Sequence, residues 1–132
     1  MATYNKFQAW AENMVEAANL GSDQFVIALS NTAPVATNSV LANITEITYT
    51  NLSSRNVTTT SSSQASGTYT LVLADLVMTA TGAVGPFRYV VLYDDTVAGD
   101  PLVGWWDYGS SITMANAETF TVDFTGAAIT LS

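Results

Sequence analysis

The chain has 132 residues, of which 48% are apolar and 11% are charged, and eleven carboxylates against three basic side chains give a net charge of −8. This is the length of one ordinary domain, so we expect a single domain over residues 1–132. Lys6, Arg55 and Arg88 are too few to neutralise several phosphates or to hold an anionic membrane, so we expect no nucleic-acid partner and no membrane partner.

The chain contains no cysteine and no histidine. Disulfides, thiolate metal sites, the commonest metal ligand and the commonest general base are therefore excluded. The serines have no base beside them, and no phosphate-binding glycine loop is present. We expect no enzymatic activity, no catalytic residue, no metal and no cofactor. The N-terminus lacks a signal-peptide pattern, which predicts a soluble protein made in a cytoplasm.

The first segment, within residues 1–21, has the spacing of an amphipathic helix of about four turns. Thr3 is a candidate cap for its first turn, and Gly21 is a candidate for its end. The apolar face most often packs on a sheet, and its members are Phe7, Trp10, Ala11, Met14 and Ala18. As an alternative, the helix is an arm that docks on a partner, with Trp10 as its anchor.

From residue 24 to residue 132 the apolar residues alternate with a period of two, which predicts strands. Both faces of the segment 86–95 are largely apolar, so we place it in the middle of the structure. The polar segment 51–67 is either a mobile loop or a solvent-facing strand and turn. We predict a mainly β fold, an antiparallel β-sandwich or barrel of about eight strands with one N-terminal α-helix. The predicted strands are 24–31, 67–75, 77–81, 86–95, 102–108, 111–114, 118–124 and 128–131.

The stretch "PFRYVVLYDDTVAGDPLVGWWDYG" concentrates the chemically interesting residues. Asp94, Asp95 and Asp100 surround glycine and proline, so we expect an exposed hairpin loop in which aspartates cap their own backbone. A calcium site is the alternative, although the D-x-D-x-D-G spacing with a distal Glu is absent. Arg88 is expected to pair with a nearby aspartate or with one on a neighbouring subunit.

Trp105 and Trp106 are adjacent and must point to opposite faces of a strand. At most one is therefore expected in the core, and the other is exposed or covered by a partner. An exposed Trp beside Asp107 favours an assembly interface over sugar binding, and both over glycosidase catalysis. The candidate assembly interface comprises Trp105, Trp106, Arg88, Asp94, Asp95, Asp100 and Trp10.

Four segments resemble a family of small virion structural proteins of tailed bacteriophages. The resemblance extends from the "YNKF" start to the closing "FTVDF" strand, and its motifs identify a family rather than a chemistry. Asn43 stands where members often have Asp. The segments are "ALSNTAPVATNSVLANITEI", "GTYTLVLAD", "GPFRYVVLYDDT" and "GWWDYG".

The resemblance implies a head decoration or cement protein, made in the host cytoplasm, that sits on the outer capsid surface of the virion. Its partners would be the major capsid protein, whose subunits it bridges, and other copies of itself in a homotrimer. A tail-associated structural or adsorption protein is a second possibility. A carbohydrate-binding β-sandwich module that grips a sugar with an exposed Trp is a third.

Overall fold

A computed structural model describes residues 2–124 and 129–131. The chain is mainly β, with 52% of residues in strands and 8% in helix, as the sequence predicts. The described part has no helix with the length and apolar character that crossing a bilayer requires. Its elements in chain order are β1 Thr3–Lys6, α1 Trp10–Glu16, β2 Phe25–Ser30, a 3₁₀ turn Leu41–Asn43, β3 Asn56–Val57, β4 Thr59–Ala65, β5 Thr68–Leu73, β6 Leu76–Thr79, β7 Val84–Asp94, β8 Leu102–Met114, β9 Thr119–Val122 and β10 Ile129–Leu131.

Three antiparallel sheets make up the fold. The largest has five strands in the order β1-β8-β7-β2-β3, and the others have the orders β10-β5-β4 and β6-β9. β7 is the middle strand of the five-stranded sheet, which confirms the central position expected from its two apolar faces.

The main core lies between one face of the five-stranded sheet and the smaller sheets. Phe25, Ile27 and Leu29 of β2 and Val90 and Leu92 of β7 face this core. The smaller sheets and α1 cover them with Leu71, Leu73, Met78, Val122, Ile129 and Trp10. Two sheets packed face to face in this way form a sandwich.

A second core covers the opposite face of the same sheet. Val26, Ala28, Val91 and Tyr93 are the intervening residues of β2 and β7, and they pack with Phe7, Ile44 and Leu102. Every residue of β2 is buried in consequence. The chain supplies this second cover from its N-terminal segment and from the loop after β2, not from a sheet.

The N-terminal segment corrects the predicted helix. Helix α1 has only seven residues, its N-cap is Ala9 without a side-chain cap, and Thr3–Lys6 is a strand that pairs with β8. Phe7 consequently enters the second core, and Ala11 is exposed, so neither shares the core face with Trp10. Met14 and Ala18 do pack against the main core, as predicted. Strand pairing with β8 overrides the helical spacing, which is a weak local preference.

The strand predictions are confirmed for most of the chain, with two differences. The predicted strands 102–108 and 111–114 are one strand, β8, which continues through Gly109 at φ 85°. Strands β1 and β3 were not predicted. The segment 51–67 contains a solvent-facing strand, β4, and a turn at Ser66 and Gly67, which confirms one of its two interpretations. Residue 128 of the predicted strand 128–131 lies outside the described residues.

Candidate assembly surface

The predicted interface residues do not form one cluster. Arg88 and Asp94 both lie on β7 but are six residues apart, which is about 20 Å along a strand. Trp105 and Trp106 pair with Val91 and Val90 in the middle of the sheet. The structure therefore separates the arginine, the tryptophans and the aspartate loop into different places.

Arg88 pairs with Asp107 on the neighbouring strand. Its Nε donates to Asp107 Oδ1 at 2.7 Å and its Nη2 donates to Oδ2 at 3.1 Å, a bidentate geometry. Asp107 Oδ1 also accepts the Gly109 N–H at 2.8 Å. Both donors lower the pKa of Asp107, the guanidinium most strongly. The expectation of a nearby aspartate partner is confirmed, and the guanidinium is engaged within its own chain.

Trp105 and Trp106 do point to opposite faces, but both pack against a core. Trp105 lies 4.5 Å from Phe7 between ring centroids, on the second core. Trp106 lies 5.0 Å from Tyr4 and 5.6 Å from Phe124, on the main core. Both indoles are partly buried, so the expectation that one of them is exposed is wrong, because the chain covers both faces of this sheet. The hypothesis of an exposed Trp as an interface anchor or sugar platform loses its basis.

Trp10 is 2% exposed and lies in the main core, with its ring 6.3 Å from that of Phe25 in an edge-on arrangement. The alternative in which Trp10 anchors a docking arm is therefore wrong, and the core interpretation is confirmed. Its Nε1 has no hydrogen-bond acceptor among the described residues.

The aspartate loop is only partly exposed. Asp95 is exposed, but Asp94, at the end of β7, is fully buried, which corrects the predicted exposure of all three aspartates. Asp94 Oδ1 accepts the N–H groups of Thr96 at 3.0 Å and Val97 at 3.4 Å, so the expected backbone capping is confirmed. Asp100 is partly buried, and its carbonyl accepts the N–H of Leu41 at 3.0 Å.

Sequence reasoning missed the partner of Asp94, which is Asp23. The Asp23 carboxyl is a hydrogen-bonding neighbour of the Asp94 carboxyl and is itself 9% exposed. Burial raises the pKa of Asp94 to about 7, and Asp23 adds to that effect. A period-two pattern carries no signal for this contact, because 71 residues separate the two positions.

The other missed feature is the outer edge of the sheet β10-β5-β4. β4 has one neighbouring strand, β5, and among the described residues nothing pairs with its other edge. Six of its seven residues are exposed, and none is charged or proline. Natural edge strands are usually protected by Lys, Pro or bulges, and β4 has only a bulge between Thr59 and Ser61. The regular part, Ser61–Ala65, is what we call the β4 edge.

Apolar side chains lie on the same small sheet. Leu131 of β10 is 53% exposed and pairs with Tyr69 of β5. Tyr69 in turn shares a hydrogen bond of 2.8 Å with Ser62 of β4. A shallow cleft of about 510 Å³ separates these side chains from Ala18 and Leu20. The sheet that ends in the β4 edge thus also carries apolar surface, on β5 and β10, that a partner could cover.

No group of three or more metal-ligating side chains occurs in residues 2–124 or 129–131. Comparison of the chain with protein-family models, with curated proteins and with solved structures finds no match. The likeness to phage virion proteins therefore depends on the quoted sequence motifs alone, and it remains an expectation.

Proposed function

We propose that the chain is a non-enzymatic structural protein of a tailed-bacteriophage virion, a decoration protein that binds the outer shell and bridges major capsid subunits. The observation that carries the proposal is the β4 edge, an exposed run of unpaired backbone without charge or proline. Such an edge accepts a partner strand through main-chain hydrogen bonds, and nearby pockets for side chains add specificity. Tyr69 of the adjacent strand β5 and Leu131 of β10, beyond it, supply apolar surface on the same sheet.

The charge of the chain favours a partner that is uncharged or basic. Arg88 is engaged by Asp107, and Arg55 donates to the Ile27 carbonyl at 2.7 Å while its guanidinium carbon lies 3.7 Å from the Tyr49 ring centre. A net charge of −8 is repelled by nucleic acid and suits the outside of a DNA-filled shell. The β4 edge has no charged side chain, so a partner that pairs with it does not bring its own charges against a carboxylate of this strand.

Symmetry indicates that the surface that binds the capsid differs from the surface that joins copies of this chain. Pairing of β4 with β4 of a second copy is a two-fold contact and makes a dimer, whereas a trimer needs two different surfaces on each copy. We therefore assign the β4 edge to the capsid partner and the expected homotrimer contact to another surface. Repetition of the capsid contact over many sites would stabilise the shell that the protein binds, by mass action.

The location of the chain on the virus particle tests the proposal. A cryo-electron reconstruction of the parent virus should show this fold at repeated positions on the outer shell, with a strand of the capsid protein beside β4. Density confined to the tail would replace the proposal by a tail-associated structural or adsorption role. Absence of the chain from the particle would overturn both and leave the carbohydrate-binding alternative, which glycan titration of tryptophan fluorescence tests.

A further inference from the structure

The buried carboxyls of Asp23 and Asp94 join two separate loops of the molecule. Asp23 lies in the loop between α1 and β2, and Asp94 begins the loop between β7 and β8. The two loops are also connected by the Asp95 N–H to the Gln24 carbonyl at 2.9 Å and by the Gln24 N–H to Thr96 Oγ1 at 2.8 Å. Any change in the carboxyl pair therefore acts directly on this junction.

Three of the four carboxyl oxygens have defined surroundings. Asp94 Oδ1 accepts two loop N–H groups, and Asp23 Oδ2 accepts the Asn19 N–H at 2.8 Å. Asp94 Oδ2 is buried and has no hydrogen-bond donor among the described residues. Its neighbour is the Asp23 carboxyl. Two carboxyls in hydrogen-bonding contact form a bond only when one of them keeps its proton.

No positive charge acts on Asp94 to hold both carboxylates ionised. Asp23 is the one titratable group that acts on Asp94. Glu46, Arg55 and Asp95 act instead on Tyr93, which faces the second core on the other side of β7. Burial disfavours a negative charge, and a second negative charge beside it is less favourable still.

We propose that Asp23 and Asp94 form a proton-operated latch, in which one shared proton holds the α1–β2 loop against the β7–β8 loop and its loss loosens that junction. The latch is independent of the proposed virion function. A cation is a poorer occupant, because Ca²⁺ takes six to eight oxygen ligands and two of the four oxygens of this pair already accept N–H groups.

The sign of the pH dependence follows from the direction of the shift. The pKa of Asp94, about 7, is raised above its ordinary value, so the folded chain holds this proton at pH values where the unfolded chain has lost it. The contribution of the latch to stability is complete below about pH 4, the unfolded value, and is lost as the pH rises through about 7.

Carboxyl NMR titration of the whole chain tests the latch directly. Asp94 should titrate with a midpoint near 7, and Asp23→Asn should move that midpoint to lower pH because the neighbouring carboxyl is gone. In the wild type, protection from hydrogen exchange of the Asp95 and Gln24 amides, which join the two loops, should fall above that midpoint, after correction for base catalysis. An Asp94 midpoint below about 5, or unchanged amide protection, would overturn the proposal.

Thermal unfolding provides the second readout. Asp94→Asn should melt several degrees higher than the wild type at pH 8.5 and at nearly the same temperature at pH 4.5. The control Asp95→Asn, an exposed neighbour, should keep the wild-type pH profile. Equal melting of Asp94→Asn and the wild type at both pH values would count against the latch. Stabilisation of the wild type by millimolar CaCl₂ at pH 8.5, absent in Asp94→Asn, would replace the proton by a cation.

Discussion

Strand β2 of the five-stranded sheet and strand β4 of the β4–β5 hairpin have similar lengths, six and seven residues, but opposite exposure. Every residue of β2 is buried, and β7 contributes side chains to both cores. In β4, by contrast, six of seven residues are exposed and the side chains are short and hydroxylated. The two regions therefore have different physical roles in the same chain.

This difference shows that aromatic residues are not by themselves evidence of a binding surface here. The tryptophans of β8 are occupied in stabilising the fold, since each packs on a different core. Strand β4, a run of short uncharged residues, has the open backbone edge that a partner could use. Substitutions in the packed sheet should lower the stability of the fold, whereas substitutions at the β4 edge should lower the binding of a partner.

The largest effect should come from the tryptophan pair. Because both indoles pack on a core, Trp105→Ala and Trp106→Ala should each lower the free energy of unfolding by about 2 to 3 kcal/mol. Urea denaturation would measure this, with Val15→Ala as a control, because Val15 is 72% exposed and should change little. Full stability in either Trp variant would restore the sequence-based view that one indole serves only assembly.

The second-largest loss of stability should come from a substitution at Gly104, where β8 lies close to Tyr4 of β1. A Cβ at Gly104 would meet the outer end of the Tyr4 ring, so Gly104→Ala should displace that ring and lower the free energy of unfolding by about 1 kcal/mol. A double-mutant cycle would identify the cause. In a Tyr4→Ala background the same substitution should have much less effect, and equal effects in both backgrounds would contradict this contact.

Two adjacent proline variants of β4 should distinguish the N–H groups that point toward β5 from those that point outward. Successive N–H groups of a strand point to opposite edges, so one of Ser62→Pro and Ser63→Pro removes a bond to β5 and the other removes an outward N–H. The first should lose at least about 1 kcal/mol of stability. The second should melt close to the wild type but bind poorly to purified capsids in cosedimentation. Full capsid binding by both folded variants would remove β4 from the proposed interface.

The surface ion pair should give the smallest effect on stability. The lowered pKa of Asp107 means that its contribution is present above about pH 4 and is lost as the pH falls through its folded value. Arg88→Gln should raise the Asp107 midpoint in carboxyl NMR and leave the melting temperature nearly unchanged, because the pair is exposed to solvent. Arg55→Gln should leave that midpoint where it is, and a shift there would contradict the assigned partner.

Much of the fold was predictable because strand periodicity is a local property of the sequence. Alternation in residues 86–95 was sufficient to place β7 in the middle, and the apolar runs located β2, β5, β6 and β9. The candidate site was predicted less well. The sequence predicted that Arg88 pairs with an aspartate. It did not predict the burial of Asp94 or the packing of both tryptophans against a core, because these depend on which segment covers each face.

By itself the sequence determined a mainly β chain with one helix, an acidic surface and opposite directions for Trp105 and Trp106, since these depend on composition and on a period of two. Tertiary structure decided that Thr3–Lys6 is a strand, that both sheet faces are covered and that Asp23 meets Asp94. Each of these results from contacts between distant segments, whose burial of apolar area outweighs the weak local preferences visible in the sequence.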